Sequence, residues 1–383
     1  MVFWGQLIPV VVYGKLRPLA GGGAGKIASF QPVGLVRSPH QPMNTRATSP
    51  QQLGYRMPAE WEPHAATWLS WPRPNGASFP GRYAEVLPAL GELVRALAPS
   101  EPVGITCRDA EIETIARQTI GSCANVQFHR IASDEAWCRD HGPTFVVRAG
   151  GAGIVDWRFN AWGGKYAPCA DDDAVPARIA ELLKVPVFQP PLVLEGGSID
   201  VNGRGLVLTT ESCLLNQNRN PHLSKNQIEQ FLKDYLGVAQ VLWLGTGIAG
   251  DDTDGHVDDM TRFVSPTTVV TAVEADPSDE NYPALHDNLT RLRQMKAIER
   301  IVELPMPGAV VQQGKRLPAS YANFYIANTV VILPTFRQPV ADARAQAILQ
   351  ELFPTRRIVP VDSTTVIWGR GSFHCLTQQQ PKV

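Results

Sequence analysis

The sequence predicts an α/β fold. From Arg56 to the C-terminus, short apolar runs alternate with segments in which apolar residues recur at helical spacing, a pattern typical of helices packed on sheets. At three places a helical segment is followed by an apolar run, within residues 89–107, 224–244 and 343–361. A Gly-Ser-apolar-polar pattern occurs at residues 197–200 and again at 371–374, which suggests repeated units that carry functional residues at matching loop ends.

The clearest helix–strand pair begins at Ser224. Ser224 with Gln227 three residues later forms a capping-box pattern, which starts a helix. Apolar residues recur at helical spacing as far as Gly237, which predicts the end of the helix. The apolar run at residues 238–244 then predicts a buried strand.

The two other pairs have the same order. Residues 89–98 predict a helix before a strand at 103–107, and residues 343–353 predict a helix before a strand at 358–361. The gaps between the three pairs differ in length, so spacing alone does not define a repeat.

The composition predicts one folded domain at residues 53–383. A chain of 383 residues that is 44% hydrophobic can bury a large core. Residues 1–52 are predicted to be a disordered extension, because residues 14–52 are rich in Gly, Pro, Ser and Arg and lack periodicity. An unusual targeting segment is the alternative. The apolar stretch at residues 1–13 is too short and too interrupted to span a bilayer.

The charge balance favours a small, specific ligand. Lys and Arg number 35 against 36 Asp and Glu, so no net attraction to nucleic acid or to an anionic membrane is expected. The six cysteines are scattered and form no C-x-x-C pair, which favours reduced thiols and a cytoplasmic protein over a zinc or disulfide framework.

Cys375 is a candidate nucleophile. A thiolate is strongly nucleophilic and forms near neutral pH when a cation or an imidazole lies close by. Gly369, Arg370 and Gly371 precede this cysteine and provide a flexible approach. A single cysteine is more often a small buried hydrophobic residue, and from the residues alone Cys138 is nearly as good a candidate.

A second candidate segment is the acidic stretch at residues 251–259. If it were a strand, His256 and Asp258 would lie on one face, a pairing suited to proton transfer or to binding a cation. A calcium loop is less favoured, because the EF-hand spacing and its closing glutamate are missing. A solvated acidic turn remains open.

Asp140, Glu195 and Trp137 complete the candidate set. Asp140 and Glu195 stand beside turn glycines. Three roles are open for each: a surface charge, a structural ion-pair partner or a ligand for a cation. A guanidinium offers a planar fork of N–H donors that carboxylates match, and Trp137 can stack on such a cation. A core role for Trp137 is the simpler alternative.

Seven motifs in order resemble the agmatine deiminase family, whose relatives include bacterial peptidylarginine deiminases. The match extends from about residue 57 to 381. The motifs are MPAEWEPH (57–64), WCRDHGP (137–143), FNAWGGKY (159–166), NQNRNPH (216–222), DTDGHVD (252–258), NFYIAN (323–328) and HCLTQQ (374–379).

The resemblance implies the pentein fold for residues 53–383, a five-bladed α/β propeller of ββαβ units with pseudo-fivefold symmetry around a central site. It implies that Cys375 is the nucleophile and His256 the acid/base. It also implies that Asp140, Glu195 and Asp258 hold the substrate guanidinium and that Trp137 lines the channel. No cofactor or metal is expected.

The implied reaction is hydrolysis of agmatine to N-carbamoylputrescine and ammonia, a step in putrescine and polyamine synthesis. Two departures leave the substrate open. The family usually has three glycines and an asparagine before the nucleophile, whereas this chain has Gly369-Arg370-Gly371-Ser372. The Asn-Trp pair typical of the agmatine-specific branch is also missing after Trp71-Pro72.

Peptidylarginine or another alkylguanidine is therefore the alternative substrate, acted on by the same chemistry. A non-catalytic binding propeller is less favoured because all five catalytic positions are filled. Metal-dependent guanidine hydrolysis is less favoured because the clustered Asp and His ligands of a two-metal site are missing. A homo-oligomer is left open.

Overall fold

The structure is a computed structural model, and it describes residues 48–383. The extension was predicted at residues 1–52, and its residues 1–47 therefore lie outside the described residues. Residues 48–52 begin the described chain, and the backbone N–H of Gln51 donates to the carbonyl of Asp234 at 2.9 Å.

The α/β prediction is confirmed. The described strands are β1 (His64–Ser70), β2 (Val103–Thr106), β3 (Val126–His129), β4 (Thr144–Arg148), β5 (Gly151–Val155), β6 (Val187–Phe188), β7 (Asp200–Val201), β8 (Leu206–Thr210), β9 (Gln240–Leu244), β10 (Thr261–Phe263), β11 (Thr268–Val273), β12 (Arg300–Pro305), β13 (Val311–Gln312), β14 (Lys315–Arg316), β15 (Tyr325–Ile326), β16 (Val330–Thr335), β17 (Arg357–Asp362) and β18 (Thr377–Pro381).

Long helices alternate with these strands, and short helical turns lie between them. The helices are α1 (Tyr83–Leu97), α2 (Ala110–Ile120), α3 (Cys138–His141), α4 (Ala161–Gly164), α5 (Ala170–Asp173), α6 (Val175–Leu183), α7 (Glu211–Leu214), α8 (Lys225–Leu236), α9 (Tyr282–Gln294), α10 (Pro339–Leu352) and α11 (Phe373–Leu376). Within residues 48–383, no helix has the length and apolar composition needed to cross a membrane.

Five sheets repeat one pattern. Each begins with an antiparallel strand pair and continues with a parallel strand, in the orders β4-β5-β6, β7-β8-β9, β10-β11-β12, β15-β16-β17 and β18-β1-β2-β3. Within each sheet a helix connects the parallel neighbours, as parallel pairing requires a crossover. Strands β13 and β14 form a separate hairpin.

The helix–strand pairs predicted from the sequence are present. Helix α8 has the predicted capping box at Ser224 and Gln227, and Gly237 ends it in a left-handed conformation. Helix α1 begins at Tyr83 rather than at residue 89, because Val86 and Leu90 extend its buried face by a turn. Leu90, Leu93 and Val103 share one apolar cluster, which joins α1 to β2.

The two chain ends of the described domain meet in one sheet. The C-terminal strand β18 pairs antiparallel with β1, so Thr67 lies opposite Gln379 and Trp68 opposite Gln378. This pairing fixes the segment directly after Cys375 against the first strand of the domain.

Candidate active site

The candidate residues lie on turns that precede the antiparallel strand of each sheet. Helix α3 carries Asp140 before β4, and α11 carries Cys375 before β18. A 3₁₀ turn at Gly196–Ser198 follows Glu195 before β7, and another at Val257–Asp259 follows His256 before β10. The fifth sheet contributes Asn323, just ahead of β15.

Gly197 shows how closely these turns approach one another. A Cβ atom at this position would stand 2.5 Å from Nδ1 of His256, 2.7 Å from Oδ1 of Asp140 and 3.1 Å from Oδ2 of Asp258. The Gly197 backbone N–H also donates to Asp140 Oδ1 at 3.0 Å. Only glycine leaves room for three functional side chains to meet here.

Cys375 is buried and held between an amide and a carboxylate. Asn323 Nδ2 donates to its Sγ at 3.0 Å, and its thiol points to Oδ2 of Asp258 at 3.6 Å. Burial raises the pKa of the Cys375 thiol well above its ordinary value, and Asp258, Asp259 and Asp140 raise it further. Burial and these carboxylates therefore favour the neutral thiol.

His256 is fully buried among carboxylates. Its Nδ1 lies 3.6 Å from Asp140 Oδ1, and its Nε2 lies 3.9 Å from Glu195 Oε2. Burial alone would lower its pKa, but Asp140, Cys213 and Glu195 together raise it well above the ordinary value. The carboxylates therefore stabilise the imidazolium form of His256, and a protonated imidazole can act as a general acid.

His256 and Asp258 do not lie on a strand, the conformation that would have put them on one face. The segment is a 3₁₀ turn with His256 at its cap, because Asp251 accepts the backbone N–H groups of Thr253 and Gly255 and bends the chain before it. The two side chains nevertheless meet at Gly197. A solvated acidic turn is also excluded for Asp258 and Asp259, which are buried.

Defined donors hold the carboxylates of Glu195 and Asp140 in place. Arg219 Nε donates to Glu195 Oε1 at 2.7 Å. Burial alone would raise the pKa of Glu195, but His256 and Arg219 lower it, so this group is ionised. Trp162 Nε1 donates to Asp140 Oδ2 at 2.9 Å, and burial raises the pKa of Asp140.

A buried network of charged side chains begins at Asp258. His374 Nδ1 lies 2.6 Å from Asp258 Oδ2, and its Nε2 lies 2.7 Å from Glu60 Oε2. Glu60 also pairs with Arg262 at 2.9 Å and with Arg139 at 3.2 Å. Burial alone would raise the pKa of Glu60, but Arg262, His374 and Arg139 hold it well below the ordinary value.

A cavity of about 300 Å³ leads to the nucleophile. Cys375, Asp140 and Trp137 line its buried end, and His256, Glu195 and Asp258 are buried next to these residues. Trp137 stands against the glycines of the nucleophile loop, since a Cβ on Gly371 would meet its ring at 2.7 Å. The predicted residues therefore form one site at the inner end of one cavity.

Two buried groups place potential metal ligands within 4.8 Å of one another. One is Glu195, Cys213 and His256, and the other is Asp258, Asp259 and Cys375. Both groups share their members with the site already described.

Arg370 departs from the glycine-rich pattern and keeps the backbone conformation that glycine favours. Its φ is 68°, in the left-handed region. Its side chain lines the cavity, and its Nε lies 3.4 Å from Asp252.

Four residues of the site were not predicted from the sequence. Glu60, Asn323 and His374 each fall inside a motif that had been recognised without a role being assigned. Arg219 falls inside the NQNRNPH motif in the same way. The motifs therefore marked these residues, but only the contacts in the folded structure show which side chains they touch.

The repeated sheets and the buried Cys–His–carboxylate site define a chain of the guanidine-modifying α/β type. The family model described as Porphyromonas-type peptidyl-arginine deiminase matches residues 56–381. The chain belongs to this family, and the resemblance seen in the sequence is confirmed.

Relatives named as agmatine deiminases are similar over nearly their whole length. The agmatine deiminase of Pseudomonas putida strain F1 is 41% identical over 368 residues, which cover 88% of this chain and 99% of the relative. A solved agmatine deiminase of Enterococcus faecalis matches with a TM-score of 0.83 and 35% identity, covering 88% of this chain and 99% of that one. A variant of the C. jejuni agmatine deiminase, solved with substrate bound, matches with a TM-score of 0.81 and 31% identity, covering 86% of this chain and 96% of that one.

Proposed function

We propose that this chain is an agmatine deiminase, which hydrolyses agmatine to N-carbamoylputrescine and ammonia. The observation that carries the proposal is a thiol, an imidazole and three carboxylates gathered at the closed end of one cavity, around Gly197 and Cys375. The similarity to the agmatine deiminases of Pseudomonas putida and Enterococcus faecalis supports the substrate.

The fold proposed for residues 53–383 is a five-bladed α/β propeller of ββαβ units. Five sheets with one strand pattern support it. The pairing of β18 with β1 would close the ring by joining the two ends of the domain. One turn from each sheet would then point to the central axis, which accounts for a site built from five separate segments.

The substrate guanidinium would be held by carboxylate oxygens that have spare hydrogen-bonding capacity. Within residues 48–383, Glu195 Oε2 and Asp258 Oδ1 are buried and have no hydrogen-bond partner. A buried acceptor without a donor is costly, and a guanidinium offers donors in a planar fork that suits several carboxylates at once. Asp140 would form the third side of this cage, and the ring of Trp137 would cover the alkyl chain.

Binding of the cation would also activate the nucleophile. The positive guanidinium offsets the carboxylates that raise the pKa of Cys375, so the thiolate becomes accessible only in its presence. The thiol of Cys375 loses its proton to solvent, and the Sγ thiolate then bonds to the guanidine carbon. The resulting neutral tetrahedral adduct takes a proton from the His256 imidazolium, and ammonia leaves with the electrons of the broken C–N bond.

In the second half of the reaction, His256 would act as a general base instead of a general acid. A thiouronium remains on Cys375, and the neutral imidazole of His256 removes a proton from an attacking water. Collapse of the second adduct breaks the C–S bond, the hydroxyl proton of the adduct passes to solvent, and the neutral ureido product leaves, which restores the thiolate for the next cycle. The sequence of steps uses only side chains of this chain and calls for no metal.

The purified protein should release ammonia and a ureido product in equal amounts from agmatine. Cys375→Ala should abolish this turnover, and full activity of that variant would overturn the mechanism. Incubation with a chelator should leave the rate unchanged, because none of the proposed steps uses a metal. A loss of activity would indicate metal-dependent hydrolysis instead. An arginine-containing peptide tests the alternative substrate, because turnover of the peptide without turnover of agmatine would contradict the agmatine assignment.

A further inference from the structure

Residues 74–80, the entry loop, form part of the wall of the cavity. Ala77, Ser78 and Pro80 line the cavity, and the loop lies between β1 and α1. Residues 71–82 are all described, and they contain no helix or strand. The position of this wall therefore depends on side chains that bind the backbone of the loop.

Glu135 binds three donors of the entry loop with one carboxylate. Its Oε1 accepts the backbone N–H of Ala77 at 2.7 Å, and its Oε2 accepts the backbone N–H of Ser78 at 2.8 Å. The Ser78 hydroxyl also donates to Oε2. A Cβ on Gly76 would stand 3.2 and 3.3 Å from the two oxygens, so the backbone of the loop lies directly against the carboxylate.

The backbone of Glu135 is itself held in place. Asp172 Oδ1 accepts the backbone N–H groups of Asp134 and Glu135 at 2.7 and 3.1 Å. Arg73 Nε donates to the carbonyl of Asp134 at 2.8 Å. Glu135 and Asp172 are both buried, so little water competes for these bonds. The carboxylate of Glu135 therefore holds the entry loop from a fixed position.

The entry loop packs on the tryptophan that lines the cavity. The ring centroids of Phe79 and Trp137 lie 5.7 Å apart. A Cβ on Gly369 would stand 2.6 Å from Phe79 and 2.7 Å from Trp137, and the carbonyl oxygen of Ser78 would lie 3.0 Å from it. The loop, the tryptophan and the glycines before Cys375 therefore meet at one point, and a shift of the loop would remove one support of the Trp137 ring.

We propose that Glu135 is a positioning residue for the substrate: by holding the entry loop, it fixes the Trp137 ring where the alkyl chain of the substrate binds. Glu135 lines the cavity, but its oxygens already accept three donors of the loop. Glu195 Oε2 and Asp258 Oδ1, in contrast, have no partner among the described residues. The inference rests on the proposed function, which assigns the alkyl chain to Trp137.

The informative variant is Glu135→Gln. The amide keeps the size of the side chain, but its nitrogen is a donor facing donors of the loop, so at least one hydrogen bond is lost. KM for agmatine should rise about tenfold, which corresponds to about 1.4 kcal/mol. The value of kcat should change by no more than about twofold, because Trp137 contacts the alkyl chain equally in the ground state and the transition state.

Asp342→Asn is the matched control. Asp342 accepts the same kinds of donor, namely the backbone N–H groups of Phe336 and Gln338 at 3.1 and 2.9 Å and the hydroxyl of Tyr321 at 2.7 Å. It lies outside the set of described residues that line the cavity. KM and kcat of this control should match the wild-type values. An equal rise of KM in both variants would indicate a weakened fold and would contradict a specific role for Glu135.

A double-mutant cycle with Trp137→Leu tests whether Glu135 acts through the tryptophan. Trp137→Leu alone should raise KM. Adding Glu135→Gln should then raise KM by less than about twofold, because the ring that Glu135 positions is gone. A further rise of about tenfold in the double variant would mean that Glu135 binds the substrate directly, and this result would overturn the inference.

Hydrogen exchange gives a measurement that does not depend on turnover. The backbone amides of Ala77 and Ser78 should exchange at least about tenfold faster in Glu135→Gln than in the wild-type protein, whereas the amides of α8 should be unchanged. Equal exchange at Ala77 and Ser78 in the two proteins, or an unchanged KM in Glu135→Gln, would contradict the proposed role. Absence of agmatine turnover by the wild-type protein would instead remove the proposed function, and the exchange rates would still decide whether Glu135 holds the entry loop.

Discussion

Replacing Asp258 with asparagine should make Cys375 more reactive and the enzyme less active. Asp258 Oδ2 lies 3.6 Å from Cys375 Sγ. Burial is the largest cause of the raised pKa of this thiol, and Asp258 is the next largest. Asp258 acts because a nearby anion disfavours the formation of a second anion. Asp258→Asn removes that anion and keeps the side-chain volume, so the thiolate should form at lower pH.

The magnitude follows from the distance. Two unit charges at 3.6 Å, with an effective dielectric constant of about 20, interact by about 5 kcal/mol, which corresponds to about 3 pH units. Asp259 and Asp140 remain, and local relaxation absorbs part of the effect. The apparent pKa of Cys375 should therefore fall by about one to three pH units in the variant.

The assay is the rate of iodoacetamide alkylation of Cys375 as a function of pH, with the modified peptide identified by mass spectrometry. The other five cysteines serve as internal controls, because their rates should match between wild type and variant. Turnover of agmatine should fall sharply in the same variant, since one arm of the carboxylate cage is lost. An unchanged or raised pKa of Cys375 in Asp258→Asn would refute the electrostatic account of the site.

Two further predictions concern packing and buried charge. Gly197→Ala should lower kcat/KM for agmatine at least about hundredfold, because its Cβ would fall 2.5 Å from His256 Nδ1. Gly151→Ala is the control and should leave kcat/KM unchanged, because no atom lies within 4 Å of the Cβ it would add. Equal activity of the two variants would contradict the close packing of side chains around Gly197. Glu60→Gln should reduce the free energy of unfolding by about 3–5 kcal/mol in urea titrations, because Arg262 and Arg139 lose their buried counter-ion. The folded pKa of Glu60 is below its ordinary value, so its contribution is present above the unfolded pKa and is lost as pH falls through the folded pKa. The stability difference between wild type and Glu60→Gln should therefore be steady above the unfolded pKa and shrink as the pH falls below about 4.5, and a difference independent of pH would contradict the assigned charge.

Local signals in the sequence predicted local structure well. Ser224, Gln227 and Gly237 define the ends of α8, because caps depend on residues only a few positions apart. The segment with His256 and Asp258 is not a strand, again because of contacts between residues a few positions apart. Asp251 bends that segment through bonds to two backbone N–H groups, and a strand-like alternation does not reveal such a turn.

The candidate site was predicted only in part. Cys375, His256 and the three carboxylates follow from the resemblance, but their support does not. His374 stands next to Cys375 in sequence, and its role depends on Glu60, which is 314 positions away. A contact between such distant segments is set by the packing of the sheets, and one sequence contains no direct signal for it.

The most direct test of the proposed chemistry is to trap the covalent intermediate. The enzyme would be mixed with agmatine labelled at the guanidine carbon and quenched in acid within the first turnover, and its peptides would be analysed by mass spectrometry. The label should appear on Cys375 alone, on the peptide that also contains His374, and it should disappear as ureido product forms. Release of ammonia with no label on Cys375, or with label on another cysteine such as Cys138, would contradict the account.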